Sequence, residues 1–269
     1  MVDVVSSIKH PAVVAAREST GQSRPGKPAL FLIEGRKLVL EAVEARAPLE
    51  GVFFMHPLEE TETWQAVQQA GVPCWLVSRG VFHRILGLGY ETATRIVATV
   101  KVVRRSVADL VADSGPSTCL LVGESLQDPR NVGTFVRTAE AWGLRAVAFT
   151  AGSADPFSRP SIRSSTGSIL RVSIATDCRT RELLEALRAT GSRLVGASAA
   201  ATNPCWEVDL SPPCAILLGN ETTGLSREAR ELSDVMVRIP MYGGAHSFNV
   251  TVAAGILLYE AARQREARR

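Results

Sequence analysis

The sequence predicts an α/β protein of two unequal parts: a smaller mixed α/β domain, followed by a larger domain built on a mostly parallel sheet. Three observations carry this. Short apolar runs of strand length alternate with amphipathic segments of helix length from Ala29 onward, the pattern of sheets covered by helices. The chain has 269 residues, which favours two domains over one. The stretch 103–117, with Arg104, Arg105, Asp113, Ser114, Gly115 and Pro116, interrupts the apolar pattern and reads as a linker.

The elements follow in order. Residues 1–28 are expected to form an N-terminal extension, with a short helix around 11–18 and a loop broken by Gly21, Pro25, Gly26 and Pro28. Ala29–Ile33 is an apolar strand and Glu34-Gly35 a turn. Arg36–Arg46 carries Leu38, Val39, Ala42 and Val43 on one helical face. Val52–Met55, Pro73–Val77 and Arg95–Val102 are further strands, with helices at Glu60–Ala70 and 79–87. These close a domain over 29–102 that shows no catalytic constellation. A short helix is possible at 106–112.

The second domain, 118–269, opens with the strand Thr118–Gly123. A helix then begins at Pro129-Arg130-Asn131. Val132, Phe135, Val136 and Ala139 make its apolar face, and Asn131, Thr134 and Arg137 lie on the opposite side. Its free N–H groups are expected at the mouth of the sheet. Ala146–Thr150 is a strand, and 151–168 a long polar stretch with Arg159, Arg163, Ser164, Ser165 and Gly167. Strands follow at Arg171–Ala175, Arg193–Ala197, Ala215–Leu218 and Val235–Ile239, with helices at 180–190 and about 226–232. The last helix starts after Ser247 and runs to about Arg265. It is apolar nearly all round up to Tyr259, so it needs cover on several sides.

Composition narrows the function classes. The chain is 46% hydrophobic and 21% charged, with a net charge of +3, ordinary for a soluble globular protein. Its basic residues are arginines except Lys9, Lys27, Lys37 and Lys101, and arginine offers forked contacts to phosphate. The five cysteines are scattered without a CxxC pair, which argues against zinc or disulfide frameworks and for a reducing, cytoplasmic setting. Cys119 and Cys214, at the starts of apolar runs, are expected to pack as small hydrophobes. No signal pattern or membrane-length apolar run is present. GxGxxG is missing, Gly87-Leu88-Gly89-Tyr90 being the nearest approach, and so are the P-loop and the GxSxG elbow.

Two strand-end loops close in sequence remain: Leu217–Ser226, and Ile239–Val250. Asn131, Arg137, Asn220, Glu221, Ser247 and Asn249 make a polar set with a single carboxylate. That is a poor cage for a hard metal, and no metal is expected. It is suited to orienting a hydroxyl and a cofactor by hydrogen bonds. Gly219, Gly224, Gly243 and Gly244 would allow close backbone approach to a ligand.

These residues carry a resemblance. The chain is similar to the SpoU/TrmH family of RNA 2′-O-ribose methyltransferases, within the knotted SPOUT superfamily. The matching segments are Asp128-Pro129-Arg130-Asn131-Val132-Gly133 with Arg137, Leu218-Gly219-Asn220-Glu221 with Gly224-Leu225-Ser226, and Ile239-Pro240-Met241 with Ser247-Phe248-Asn249-Val250. Arg163-Ser164-Ser165-Thr166-Gly167 is similar to the family's R-x-S-x-G segment. The match spans about 118–262. Phe31-Leu32-Ile33-Glu34-Gly35 resembles, more weakly, the family's L30e-like substrate-binding domain. The departures are Phe248 where leucine is usual, and Thr222-Thr223 after Glu221.

The resemblance implies a deep trefoil knot in the C-terminal domain, contrary to the usual unthreaded trace. It implies S-adenosylmethionine held by Ser198, Ala199, Leu218, Gly219, Asn220, Ile239, Met241, Phe248 and Asn249. Arg137, Asn131, Glu221, Ser247 and Asn249 inherit the catalytic positions, with Arg137 acting on the ribose hydroxyl. Arginine keeps its proton at working pH, so the expected role of Arg137 is positioning and electrostatic stabilisation of developing alkoxide. Lys9, Arg36, Arg163 and Ser165 are expected to touch RNA. The implied substrate is ribosomal RNA before tRNA, and the implied assembly is a homodimer through the C-terminal domain. The alternatives are a base-methylating SPOUT enzyme and a non-catalytic RNA-binding protein of the same fold.

Overall fold

Apolar strands need cover from other elements, and the computed structural model contains two sheets that carry such strands. It describes residues 3–19, 29–87, 93–114 and 119–268. Gly21, Pro25, Gly26, Lys27 and Pro28 of the expected extension, Gly89 and Tyr90 of the incomplete GxGxxG, and Gly115 and Pro116 of the expected linker lie outside those residues. The chain divides into one unit of Met1–Val103 with Phe157–Ile162, and a second of Arg104–Pro156 with Arg163–Arg269.

The first unit holds β1 (Val4–Val5), α1 (Pro11–Arg17), β2 (Leu30–Glu34), α2 (Arg36–Glu44), β3 (Leu49–Met55), α3 (Thr61–Gln69), β4 (Cys74–Val77), α4 (Arg79–Leu86) and β5 (Ile96–Lys101). The strand order is β1-β4-β3-β5-β2. β1, β4 and β3 are parallel, and β5 runs antiparallel to both β3 and β2. Val13 and Ala16 of α1 and Val81, Phe82, Ile85 and Leu86 of α4 pack over Phe53, Val77 and Val97. Phe53 stacks on Trp75 at 5.0 Å between ring centroids. That ring leaves room only for Gly51, where an added Cβ would lie 2.2 Å from it.

The second unit holds α5 (Val107–Ser114), β6 (Cys119–Gly123), α6 (Pro129–Ala141), β7 (Ala146–Thr150), β8 (Ser173–Cys178), α8 (Thr180–Ala189), β9 (Arg193–Ala197), β10 (Asn203–Pro204), β11 (Cys214–Leu218), α9 (Arg227–Leu232), β12 (Val235–Arg238) and α10 (Val250–Glu266), and α7 spans Arg159–Ser165. The seven strands lie in the order β10-β12-β9-β11-β6-β7-β8, every pairing parallel. β6, β7 and β11 are buried at all positions. The strand order reverses around β6, and the carboxyl ends of the parallel strands lie along one edge of the sheet, the edge at which such sheets bind ligands.

Three differences from the sequence reading have physical causes. The polar stretch 151–168 contains α7, followed by a 3-10 turn at Ser168–Leu170. Its inward residues are Ser161, Ile162 and Ser165, and two serines in three leave no apolar period to detect. The edge strands β1 and β10 have two residues each and exist only through their pairing partners. α10 buries Val250, Ala254, Leu257, Leu258 and Ala261, but Val252 and Tyr259 stay 48% and 56% exposed. With Trp142, whose ring meets that of Tyr259 at 6.0 Å, they leave an apolar stripe uncovered by this chain.

One buried carboxylate was not legible in the sequence. Glu124, just past β6, is 5% exposed. It accepts from Ser226 N at 2.8 Å, Ser226 Oγ at 2.7 Å and Thr180 Oγ1 at 3.1 Å. Ser226 Oγ in turn accepts from Ala229 N at 3.0 Å as the N-cap of α9. Glu124→Ala strands these donors, and is expected to cost about 2–3 kcal/mol in chemical denaturation. An unchanged midpoint would contradict that accounting.

Candidate active site

The site is built from three loops that the parallel register brings level. Leu218 pairs with Gly123, and Glu124 N continues the ladder to Leu218 O at 2.8 Å. The loops after β6 and β11 therefore leave the sheet side by side. Asn220 joins them: its Nδ2 donates to Ser125 O at 2.9 Å. Its Oδ1 accepts from Thr222 N at 2.9 Å and Thr223 N at 3.0 Å, so the two threonines close a tight turn. Asn220 and Gly224 pair across it, pressing Gly219 onto Gly224 so closely that a Cβ on Gly219 would lie 2.2 Å from the Gly224 carbonyl carbon. Gly243 and Gly244, by contrast, face open space.

At the centre stands Glu221. Its Oε1 accepts from Asn131 Nδ2 at 2.9 Å and Asp128 N at 3.3 Å, and its Oε2 from Gln127 N at 3.1 Å. Burial pushes this carboxyl up, but the bonds from Asn131, Gln127 and Asp128 outweigh it and hold the pKa below the usual carboxylate value. An ionised carboxylate only accepts, so it fixes the direction of everything beyond it. Asn131 must turn Nδ2 toward Glu221 and Oδ1 away. That Oδ1 accepts from Asn249 Nδ2 at 3.0 Å. Asn249 then presents its Oδ1 to Thr251 N at 2.9 Å, capping α10. Asp128 caps α6 in the same way, through Arg130 N at 2.8 Å. One directed relay thus ties together the loops after β6, β11 and β12.

The other expected residues fall in several places. Arg137 is exposed on α6, about 9 Å along the helix from Asn131. Ser247 is exposed. The structure brings neither into the relay. Leu218 is buried, Ile239 and Met241 are half-buried, and Phe248 is 41% exposed. Ser198 and Ala199 sit just past β9, with Ser198 N donating to Val237 O at 2.9 Å. Arg163 is at the surface, whereas Ser165 is fully buried. In the first unit Lys9 is exposed, and Arg36 is engaged with Glu62 at 2.8 Å and Glu60 at 3.9 Å. Sequence reading missed Gln127 and Asp128 as backbone donors to Glu221, because main-chain donors leave no trace in residue type.

The chain is similar to known RNA methyltransferases. Residues 118–259 match the SpoU rRNA Methylase family. The 23S rRNA (guanosine(2553)-2′-O)-methyltransferase RlmP of Bacillus subtilis is 31% identical over 229 residues, 85% of this chain and 87% of that protein. An AdoMet-bound rRNA methyltransferase from Sinorhizobium meliloti superposes with a TM-score of 0.83 at 27% identity, covering 97% of this chain and 98% of that one. A crystal structure of an RNA 2′-O ribose methyltransferase superposes with a TM-score of 0.78 at 30% identity, covering 98% and 100%.

Proposed function

Because the chain belongs to the SpoU rRNA methylase family, we propose that it methylates a ribose 2′-hydroxyl of RNA, using S-adenosylmethionine, and that its substrate is ribosomal RNA. The observation that carries this reading is the relay Glu221–Asn131–Asn249. It presents amides and no second carboxylate, an arrangement for orienting a hydroxyl and not for binding a hard metal.

The residues fit the cofactor. Leu218, Ile239, Met241 and Phe248 supply apolar faces for an adenine, while the strand-end backbone at Gly219, Asn220, Ser198 and Ala199 supplies polar contacts. When bound, S-adenosylmethionine offers a methyl group on a positively charged sulfur. The protein's own part is to orient and to stabilise charge. Arg137 donates to the ribose oxygen and stabilises the negative charge that develops there, as the proton leaves to an adjacent RNA phosphate oxygen. Ser247 and Asn249 position the hydroxyl. Glu221 and Asn131 hold Asn249 in the one amide orientation that leaves α10 capped.

The first unit serves as an L30e-like RNA-binding domain, with Lys9 and Arg36 toward the nucleic acid and Arg163 contributing from the second unit. The uncovered stripe of Trp142, Val252 and Tyr259 supports a homodimer, which sedimentation of the intact chain reads directly. The loops after β11 and β12 follow the knotted trace of the family, and the protein works in the cytoplasm. Ribosomal RNA is preferred to tRNA because the relative from Bacillus subtilis acts on 23S rRNA and matches over most of both chains.

The test is transfer of labelled methyl from S-adenosylmethionine to unmodified ribosomal RNA and tRNA, followed by nucleoside analysis. Label in an alkali-resistant 2′-O-methyl dinucleotide from ribosomal RNA is the expected result. Label on a base, or on tRNA alone, would replace the substrate assigned here. Cofactor binding with no transfer to either RNA would favour a binding protein.

A further inference from the structure

Two of the five cysteines stand together at the end of the sheet opposite the active site. Cys119 opens β6 and Cys214 opens β11, and the two are direct partners in the parallel register. Their side chains therefore leave the same face of the sheet. The sulfurs are 3.1 Å apart, and both residues are at least 98% buried, with 2% and 1% exposure. Adjacent strands lie about 4.8 Å apart, within the range of about 4.4–6.8 Å that a disulfide tolerates between Cα atoms.

The third member is Arg265, in the last turn of α10. Its Nη2 donates to Cys119 Sγ at 2.9 Å and lies 3.8 Å from Cys214 Sγ. Its remaining bonds go to the carbonyls of Ser211, Leu210 and Pro212, at 3.1, 3.3 and 3.2 Å. Among the described residues this half-buried guanidinium thus meets neutral carbonyls and sulfur, and no carboxylate. The group that can supply its counter-charge is a thiolate. The hydrogen bond from Cys214, then the Arg265 charge, lower the Cys119 thiol below its ordinary value against the opposing effect of burial. The same contact with Cys119, together with burial, raises Cys214.

We propose that Cys119 and Cys214 form a peroxide-sensitive thiol pair, in which Cys119 is the attacking thiolate and Cys214 the resolving thiol. The Cys119 sulfur attacks one oxygen of hydrogen peroxide, the O–O bond breaks, and a sulfenic acid and hydroxide result. Cys214 sulfur then attacks the Cys119 sulfur, the S–O bond breaks, and water leaves. In sum, one thiolate, one thiol, one hydrogen peroxide and one proton give one disulfide and two waters. The peroxide is reduced and the two sulfurs are oxidised. The bond joins the two strands whose far ends carry Glu124 and Gly219, and a dithiol reverses it. This inference is independent of the proposed methyl transfer.

The experiment uses the reduced full-length protein. It is treated with hydrogen peroxide near neutral pH, denatured, alkylated and digested. The expected result is loss of two of the five thiols, and a peptide pair linking Cys119 to Cys214 whose mass is lower by two hydrogens. Cys214→Ser is expected to stop at the sulfenic acid, trapped by dimedone on Cys119. Arg265→Gln is expected to slow oxidation several-fold, because loss of the guanidinium lowers the thiolate fraction at Cys119, and Arg265→Lys to restore part of the rate. Should Arg265→Gln not fold, the pH–rate profile of the unaltered protein decides. Half-maximal oxidation well below about 8.5, the value of a free thiol, supports the pair, and a midpoint there or higher overturns it. Five intact thiols, or a cross-link between other cysteines, also overturns it.

Discussion

Arg137→Ala is expected to lower kcat for methyl transfer about 10²–10³-fold, the loss typical of removing one donor that stabilises developing oxyanion charge. Arg137→Lys should fail almost as badly. A lysine keeps the charge but loses the planar fork that holds an oxygen in a fixed direction. Cofactor affinity should be little altered in both variants, since Arg137 stands about 9 Å along α6 from Asn131 and outside the relay around Glu221. Single-turnover rates with saturating cofactor separate the two effects. Near-full turnover in Arg137→Lys would remove Arg137 from the chemistry and leave it a binding residue.

Gly219→Ala is the second large effect. The new Cβ would lie 2.2 Å from the Gly224 carbonyl carbon and 2.2 Å from Leu225 N. Both are backbone atoms held by the Asn220–Gly224 pairing, so neither side can yield as a flexible side chain would. The turn must open, at a cost of about 3 kcal/mol or more. S-adenosylmethionine binding is then expected to weaken by at least about tenfold, or about 1.4 kcal/mol, as read by calorimetry. Gly80→Ala, in α4 of the first unit, is the control: nothing lies near its added Cβ, and affinity and stability should hold. Equal behaviour of the two variants would mean that the turn at 219–224 does not shape the cofactor site.

Residue type and spacing alone determined the α/β class, the strand–helix alternation, the apolar face of α6 and the three loop motifs. The physical reason is that each is local. A buried strand needs an unbroken apolar run, an amphipathic helix needs its period, and a loop that caps a helix needs Asp128, Ser226 or Asn249 at its start. The resemblance to the family rests on the same local segments.

Only the tertiary structure decided the rest. The sheet order brought Asn131, Glu221 and Asn249 into one relay across more than a hundred residues of sequence, and nothing in residue type encodes which amide faces which carboxylate. Ser165, expected to touch RNA, is buried on α7. Cys119 and Cys214, read as small hydrophobes, met because β6 and β11 are neighbours in register, and Arg265 reached them from the far end of α10. Hydrogen bonds and thiol contacts are pairwise and long-range, whereas a hydrophobic period is a property of one segment. The sequence therefore announces its elements, and the pairing of strands chooses which polar groups meet.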